Sequence, residues 1–467
     1  MKKNAIRRKE HYKASKKLYF CAASSGKVML RNIKQVMHCH FADLSERLSA
    51  LDDPRKSETY AIEEMVMAAI VLYILECNSR NAFNTKAREK MFCKNYYRFF
   101  GLELPHLDTV NDFFKLLDVQ EMEEIRCCLI SNLIEKRVFH KFRFFEQYSH
   151  IAIDGTGTYN WGENPPEDIE KFASTRESKN GKVTYFTLLL EAVLICKNGM
   201  TIPLMTEWIA NDNPEYDKQD CESKAFKRMA VRLKKHFPRL GICIVADGLY
   251  SNVSIMNICQ EYDWKYITVF KDGNLPSVWE EVESLLPLGG GAPSCQQYWR
   301  DTTHRITRTF RWLKDLPYQK HSIHWVECVQ ETVHRKTGEK SANRFVFLTN
   351  MDVNCDNIAS ILMAGRARWL IEDHFNTQKN RGGNLHHKFC RNNFNAIKNW
   401  HNTRQLAYLI KELAKHAIEV QKLVKSNKLT WCELWKIING YLYFCSIKEI
   451  MEAFENWSKK PRQVRLE

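Results

Sequence analysis

The stretch GICIVADG, residues 241–248, contains the clearest fold signal in the sequence. A continuous apolar run of this length predicts a β-strand buried on both faces of a sheet, and it ends at Asp247-Gly248. An amphipathic helix is predicted before it, over 223–237. A helix and a short strand are predicted after it, over 252–262 and 265–270. This alternation predicts an α/β architecture in which helices pack against a sheet.

Three further strands are predicted upstream of this stretch. The sequence HIAIDG, residues 150–155, is a second apolar run that ends in Asp-Gly. Residues 183–196 and 201–209 are rich in β-forming side chains, and Lys197-Asn198-Gly199 between them is typical of a hairpin turn. The resulting order of three strands, helix, strand, helix and strand predicts a mixed sheet.

Composition and charge narrow the class of protein. The chain has 467 residues, of which 44% are hydrophobic and 27% charged, a globular rather than a disordered balance. Lysine and arginine number 70 against 55 acids, a net charge of +15 that indicates a polyanionic partner. The longest apolar run, 65–75, is too short to cross a bilayer, so no membrane partner is expected. Sixteen scattered cysteines favour reduced thiols and a cytoplasmic protein.

Changes in pattern along the chain predict six parts. These are a basic arm over 1–20, a helical and DNA-binding N-terminal region over 21–147, a first core segment over 148–270, a β-rich insertion over 271–350, core helices over 351–425, and a helical tail over 426–467. The arm is interpreted either as a DNA-backbone contact or as a solvated tail.

Several elements within these parts are predicted individually. Helices are expected over 62–75 and 122–138, and another is expected to begin at Thr109 with Asp108 as its N-cap. In the insertion, alternating side chains predict antiparallel strands over 298–310, 324–333 and 344–348.

Asp154 and Asp247 are candidate metal ligands because each follows an apolar strand and precedes a glycine. A carboxylate at the end of a strand can project into a cleft above the sheet, and two on adjacent strands can hold Mg²⁺, which prefers oxygen ligands. The alternative is that each Asp-Gly pair only forms a turn.

Glu372 is the third candidate acid. A single helix is predicted from Gly365 through Lys379, and its periodicity places Arg368, Glu372 and Lys379 on one face. An acid between two bases suits a metal that meets a phosphodiester, although a solvated stripe with an i,i+4 ion pair is the alternative. Glu191 and Glu207 are competing acids, but they lack bases at these offsets.

Residues 376–425 contain ten Lys or Arg and two acids, interleaved with aromatic side chains. This pattern fits a nucleic-acid surface, although some of the aromatic residues are expected in the core. Lys379, Arg381 and Lys388 are the candidate DNA-binding residues of this stretch, together with Arg368 just before it.

These segments resemble the DDE transposases of the IS4-like insertion sequences. Asp154 in IAIDGTGTY, Asp247 in IVADGLYSN, and RARWLIEDHFNTQK, residues 366–379, occur in the order of that family. The third segment is similar to the family pattern Tyr-(2)-Arg-(3)-Glu-(6)-Lys, with Gly365 at the tyrosine position. The resemblance covers roughly residues 105 to 415, and it depends on these three short segments.

The resemblance implies a ribonuclease H-like mixed sheet flanked by helices, with Asp154 on the first strand, Asp247 on the fourth and Glu372 on a helix after the insertion. It also implies two Mg²⁺ ions per active site, with Mn²⁺ as a substitute and no nucleotide cofactor. The implied partners are double-stranded DNA, as transposon ends and target, and a second copy of the chain. A prokaryotic, nucleoid-associated location would follow. Within the insertion, Trp299, Trp312 or Trp325 would stack on a flipped base.

The function expected from this resemblance is cleavage of transposon ends and transfer of their 3′-hydroxyls into target DNA. Two alternatives remain open at this point. One is a transposase-derived, sequence-specific DNA-binding protein whose catalysis has decayed, which the glycine at position 365 favours. The other is a ribonuclease H-like nuclease that cuts without strand transfer.

Overall fold

The computed structural model describes residues 24–56, 59–211, 220–287 and 292–467, so the predicted basic arm lies outside the described residues. The strands in this part of the chain are β1 Ser149–Gly162, β2 Ser174–Glu177, β3 Val183–Ile195, β4 Thr201–Ile209, β5 Ile242–Ala246, β6 Lys265–Val269, β7 Ser294–Arg300, β8 His304–Tyr318, β9 His321–His334 and β10 Lys340–Thr349.

The helices begin with α1, which covers residues 24–40. Those that follow in the described chain are α2 Leu44–Ser49, α3 Ile62–Ile74, α4 Arg80–Lys86, α5 Lys90–Phe100, α6 Leu107–Phe114, α7 Val119–Glu135, α8 Glu167–Glu170, α9 Glu222–His236, α10 Val253–Glu261, α11 Pro276–Leu285, α12 Ile358–Arg366, α13 Trp369–Asn380, α14 Phe394–Lys415, α15 Ile418–Asn427, α16 Trp431–Phe444 and α17 Lys448–Ser458. None of these described helices has the length and apolar character needed to cross a membrane.

The chain forms two compact units, whose boundaries fall just after α7 and within β1, β3 and α13. The sheet unit comprises the described residues of 137–157 and 187–375. The helical unit comprises the described residues of 1–136, 158–186 and 376–467.

The sheet unit confirms the predicted α/β class and its mixed sheet. Its strand order is β3-β1-β5-β6-β10-β9-β8-β7, and β4 pairs with β3. The pairs β1–β5 and β5–β6 are parallel, whereas β6–β10 and β3–β4 are antiparallel. All five side chains of β5 are buried, as its apolar run predicted. The core of this unit is formed by apolar side chains from the sheet together with those of α12 and the first turns of α13.

The β-rich insertion extends the same sheet. Strands β7 to β10 pair antiparallel in sequence order, and β10 joins them to β6. The strand predicted over 298–310 is instead the end of β7, a turn at 301–303 and the start of β8. The strand-like alternation of side chains continues through this turn. The sequence pattern alone therefore did not show that the chain reverses direction there.

The helical unit has α3 and α14 at its centre. Helix α3 is buried over most of its length, and the Glu64 carboxylate accepts a hydrogen bond from the backbone N–H of Ala61 at 2.9 Å at its start. Helix α14 packs against α3, α6 and α7. Its buried Asn399 donates to the carbonyl oxygens of Phe114 at 3.1 Å and Leu117 at 2.8 Å. These bonds satisfy carbonyl groups at and after the end of α6, where no following helical turn supplies N–H donors.

Three local predictions were wrong. Strand β1 does not end at Asp154 but continues to Gly162, and the short strand β2 was not foreseen, so β5 is the fifth strand in chain order rather than the fourth. Helix α6 begins at Leu107 with His106 as N-cap, while Asp108 lies in its first turn and binds Arg80 at 2.6 Å.

The helix predicted from Gly365 through Lys379 is divided in the structure. Helix α12 ends at Arg366 and α13 begins at Trp369. The chain contains no proline or other breaker there, and the backbone bonds Arg368 N–H to Gly365 O and Ile371 N–H to Arg368 O form tighter three-residue turns. Arg368 therefore lies in the junction between two helices.

Candidate functional site

Asp154 and Asp247 lie side by side on neighbouring parallel strands. The register of β1 and β5 pairs Ile153 with Ala246, so the two aspartates are the next residue on each strand. The carboxylate of Asp154 accepts from the backbone N–H of Gly155 at 3.0 Å. The carboxylate of Asp247 accepts from the backbone N–H of Leu249 at 2.9 Å, at the start of a short 3-10 turn. The predicted adjacency of these two acids is thus present in the structure.

Glu372 is connected to this pair through Arg368. A nitrogen of the Arg368 guanidinium lies 3.9 Å from Oδ2 of Asp154, and another donates to Oε1 of Glu372. Arg368 is buried over most of its side chain, whereas the Glu372 side chain is 56% exposed. The i,i+4 ion pair between Arg368 and Glu372, which belongs to the alternative interpretation of this stretch, is therefore observed. Asp154, Asp247, Arg368 and Glu372 all belong to the sheet unit.

A fourth acid, Glu222, was not among the sequence candidates. It is the first residue of α9, and a Cβ built on Gly155 would lie only 2.3 Å from its Oε1 atom. The Tyr250 hydroxyl donates to its Oε2 atom at 3.0 Å. Glu222 thus contacts the chain directly after Asp154 and the turn directly after Asp247. The available signal was the glycine at 155, since a glycine within a strand indicates close approach by another group.

The acids are held close enough to alter one another's protonation. The pKa of Asp154 is raised from 3.8 to about 6, chiefly by burial; the charges of Glu222 and Asp247 contribute to the rise, while Arg368 opposes it. Burial and Asp247 also raise the pKa of Glu222, against the hydrogen bond from Tyr250. Among the described residues, Arg368 is the one cation that forms an ion pair with any of the four acids. The site therefore has an excess of negative charge.

The donor set suits a hard cation, but the side chains are not arranged as a complete metal site. No group of three or more His, Cys, Asp or Glu side chains in the described chain stands ready to hold a metal ion. Glu372 is bound to Arg368 instead. Carboxylate oxygens are the ligands that Mg²⁺ prefers, and an added cation would offset the negative charge around the half-buried Asp154.

The competing acids are occupied elsewhere. Glu191 is buried, and its carboxylate is hydrogen-bonded at 3.0 Å to His374, which is also buried. Glu207 binds Arg228 at 2.7 Å and also Arg232. Both acids have cationic or imidazole partners, and so they have a structural role in this arrangement.

The remaining candidate DNA-binding residues belong to the helical unit. Lys379 lies in the last turns of α13, and Arg381 follows that helix at an exposed position. Lys388 donates to the carbonyl oxygen of Asn160 at 2.7 Å, and its ammonium lies 4.3 Å from the centre of the Trp161 ring. Burial lowers the pKa of Lys388.

The three insertion tryptophans differ in exposure. Trp299 in β7 is 57% exposed, whereas Trp312 is 7% and Trp325 is 0% exposed. Trp299 is therefore the one of these three whose ring is accessible to a ligand.

Gly365 occupies a position without room for a side chain. It is buried in the last turn of α12, and a Cβ there would lie 2.7 Å from the ring of Phe347, itself 3% exposed. A tyrosine, as in the family pattern, would require this part of the core to rearrange.

The candidate site thus consists of Asp154, Asp247, Glu222 and Glu372 with Arg368 among them. It lies in the sheet unit, where neighbouring parallel strands, the start of α9 and the α12–α13 junction contribute its side chains. Its assignment depends on this geometry alone. The sequence matches no protein-family model and no curated protein.

Proposed function

We propose that the protein is an insertion-sequence transposase of the DDE type that cuts transposon ends and joins their 3′-hydroxyls to target DNA. The observation that carries the proposal is the side-by-side placement of Asp154 and Asp247 on parallel strands, with Arg368 joining Asp154 to Glu372. Three acids separated by more than 200 residues of sequence form one group. The net charge of +15 supports a polyanionic substrate such as DNA.

We propose that the sheet unit is a ribonuclease H-like core. In support, Asp154 lies on the first strand, the β1–β5–β6 part of the sheet is parallel, and Asp247 directly follows β5. Glu372 lies on a helix that follows the β-rich insertion, as the family resemblance implies.

Asp154, Asp247 and Glu372 would hold two Mg²⁺ ions, or Mn²⁺ in their place. When bound, these ions would activate a water or 3′-hydroxyl for attack on a phosphodiester and neutralise the charge of the leaving oxygen. For Glu372 to act as a ligand, its carboxylate must leave the Arg368 guanidinium. Arg368 then becomes available for the scissile phosphate, which a guanidinium binds through paired N–H donors.

Glu222 and Tyr250 would support the two aspartates. Their hydrogen bond connects the start of α9 to the turn after Asp247, while the Glu222 carboxylate also packs on Gly155. Because the pKa of Asp154 is raised to about 6, that carboxyl group changes protonation state near neutral pH. We expect metal binding to weaken below about pH 6, because a divalent cation must then displace the proton of Asp154.

DNA contacts outside this group would come from Lys379, Arg381 and Lys388, and the exposed Trp299 ring would stack on a displaced base. We further propose that two copies act on paired ends, in keeping with the family resemblance.

A strand-transfer assay tests the proposal. The substrates are a linear DNA bearing the inverted repeats that flank the coding region and a supercoiled target plasmid, with Mg²⁺ as the cation. Joining of the labelled 3′ ends to the plasmid by the wild-type protein, but not by Asp154→Asn, supports a transposase. Cutting without joining would indicate a nuclease instead, and binding without cutting would indicate a DNA-binding protein. Either result would contradict the proposal.

A further inference from the structure

The helical unit contains a cavity of about 870 Å³, and none of its lining residues belongs to the acidic site. It lies among the end of α3, the loop after α13, α14 and α16, and every lining residue belongs to this unit. Its lining includes six cationic and two acidic side chains and two tryptophans.

Cationic side chains outnumber acidic ones in the lining of the cavity, six to two. Lys411 binds Glu76 at 2.7 Å, and Lys415 lies 3.4 Å from Glu412. The four other cations are Lys86, Arg381, Arg404 and Lys436.

Two of these four cations donate hydrogen bonds to neutral groups. Lys86 donates to the Asn439 side-chain oxygen at 3.0 Å, and Arg404 donates to the Gly383 carbonyl at 2.9 Å. These bonds orient the cationic groups and leave their charge in place, so an anion entering the cavity would be attracted. Burial lowers the pKa of Lys411, and Lys415 adds to this effect, while Glu76 and Glu412 oppose it.

Flat apolar surfaces lie beside these charges. The Lys415 ammonium is 5.6 Å from the centre of the half-buried Trp431 ring, and the Lys411 ammonium is 4.4 Å from that of Trp435. A nucleotide offers the complementary combination, because its anionic phosphate is joined to a flat ring that stacks on aromatic side chains.

The loop that borders the cavity requires its two glycines. Gly382 has a φ of +90°, and a Cβ there would lie 2.2 Å from the Glu76 carboxyl carbon. A Cβ on Gly383 would lie 2.5 Å from the carbonyl oxygen of Gln378. This close approach brings Arg381 to the cavity and presents the Gly383 carbonyl to Arg404.

We propose that this cavity binds a nucleotide of single-stranded DNA, with its phosphate at Arg381 and Lys436 and its base against Trp431. A single strand is favoured over a duplex because a base stacked within a duplex has no free face for an aromatic ring. The inference rests on the proposed function only in taking DNA as the partner.

Fluorescence anisotropy with a labelled ten-nucleotide oligo-dT and the full-length protein tests the inference. The double variant Arg381→Glu/Lys436→Glu should bind at least tenfold more weakly, and with a salt dependence smaller by roughly 0.7 in log–log slope, because it loses the contact with one phosphate. Lys422→Glu is the matched control, since Lys422 is exposed on α15 and does not line the cavity.

The aromatic contact has its own variant. Trp431→Leu should weaken binding by about tenfold, the typical effect of removing one base-stacking ring. Tyr97→Leu, at an exposed position on α5 outside the cavity, should leave binding unchanged.

Three results would overturn the inference. The first is binding of oligo-dT by the double variant within twofold of the wild type, and the second is an unchanged affinity of Trp431→Leu for oligo-dT. The third is displacement of oligo-dT by dTMP at an equal concentration of nucleotide, which would indicate a site for free nucleotides. Thermal melting of each variant excludes unfolding as the cause of any loss.

The outcome is separable from that of the strand-transfer assay. Joining activity together with unaltered oligo-dT binding by the variants contradicts this inference alone. The expected binding pattern in a protein that neither cuts nor joins DNA contradicts the proposed transposase alone.

Discussion

Two sets of acids in the sheet unit differ in how their charge is balanced. Glu191, Glu207 and Glu327 lie within strands, and each has a partner: His374 for Glu191 and two arginines for each of the others. The four site acids Asp154, Asp247, Glu222 and Glu372 have one ion-pairing cation among the described residues, Arg368, which contacts Asp154 and Glu372.

This difference in charge balance indicates which acids of the sheet unit are candidates for a functional role. A buried acid with its own partner contributes to a fixed structure, and its charge is already neutralised. A group of acids that shares one cation retains negative charge, which raises pKa values and attracts metal ions. The four site acids therefore form the functional candidate, and the paired acids Glu191, Glu207 and Glu327 serve as internal controls.

The largest effect is expected when the site acids themselves are substituted. Asp154→Asn, Asp247→Asn and Glu372→Gln should each reduce DNA cleavage by at least about a thousandfold, since each removes a charged ligand at nearly constant shape. DNA affinity, measured by gel shift, should change little. Glu207→Gln is the control, and its cleavage rate should stay within a few fold of the wild type. Full cleavage by any of the three variants would show that its acid was wrongly assigned.

Removing one of the paired acids should instead lower the stability of the protein. Glu191→Ala leaves the buried His374 without this partner, and we expect the free energy of unfolding to fall by about 3 kcal/mol, as for other broken buried pairs. Glu222→Gln, which retains an acceptor for the Tyr250 hydroxyl and removes a charge, should be neutral or slightly stabilising. Urea denaturation of both variants measures the contrast. Equal losses of unfolding free energy in the two variants would contradict the division of the acids into a paired set and a site set.

The pH dependence of stability sharpens the comparison at a single residue. The pKa of Asp154 is about 6 in the folded protein against 3.8 ordinarily, so the folded state binds this proton more readily. The contribution of Asp154 to stability is therefore most favourable below about pH 4, and it is lost as the pH rises through 6. In the absence of divalent cations, Asp154→Asn should stabilise the protein at pH 7.5 by about 2 kcal/mol, after allowance for the exposed part of the side chain. The same substitution should have little effect at pH 4, and an equal gain at both pH values would contradict the assignment.

The smallest effect concerns the helix junction that positions Arg368. Gly365→Ala places a methyl group against the Phe347 ring, and we expect a loss of about 1 kcal/mol, since crowding outweighs the higher helix propensity of alanine. Phe347→Leu should relieve the crowding, so the two substitutions should be less destabilising together than their separate effects predict. Additive effects in thermal or urea unfolding would show that the ring can move aside.

Much of the sheet could be predicted from the sequence because its signals are local. The apolar runs that end at Asp154 and Asp247 indicated two buried strands, and Lys197-Asn198-Gly199 indicated the hairpin between β3 and β4, with Gly199 at a φ of +83°. Hydrophobic periodicity and turn chemistry act over a few residues, so β3, β4 and β5 were located to within a few positions.

The ends of elements and the partners of side chains were decided only by tertiary structure. Strand β1 continues past Asp154 to Gly162, although Gly155 and Gly157 favour a turn. The division between α12 and α13 has no breaker in the sequence, and it occurs where Gly365 packs against Phe347. Such outcomes depend on residues far away along the chain, which no local pattern contains.

The sequence by itself determined that two aspartates follow buried strands and that Arg368 and Glu372 are four residues apart. Only the tertiary structure decided that β1 and β5 are adjacent and in register, that Glu222 from α9 joins the group, and that Glu191 is instead paired with His374. The physical reason is that charge balance depends on distance in space, and the chain brings these acids together only when the sheet has formed.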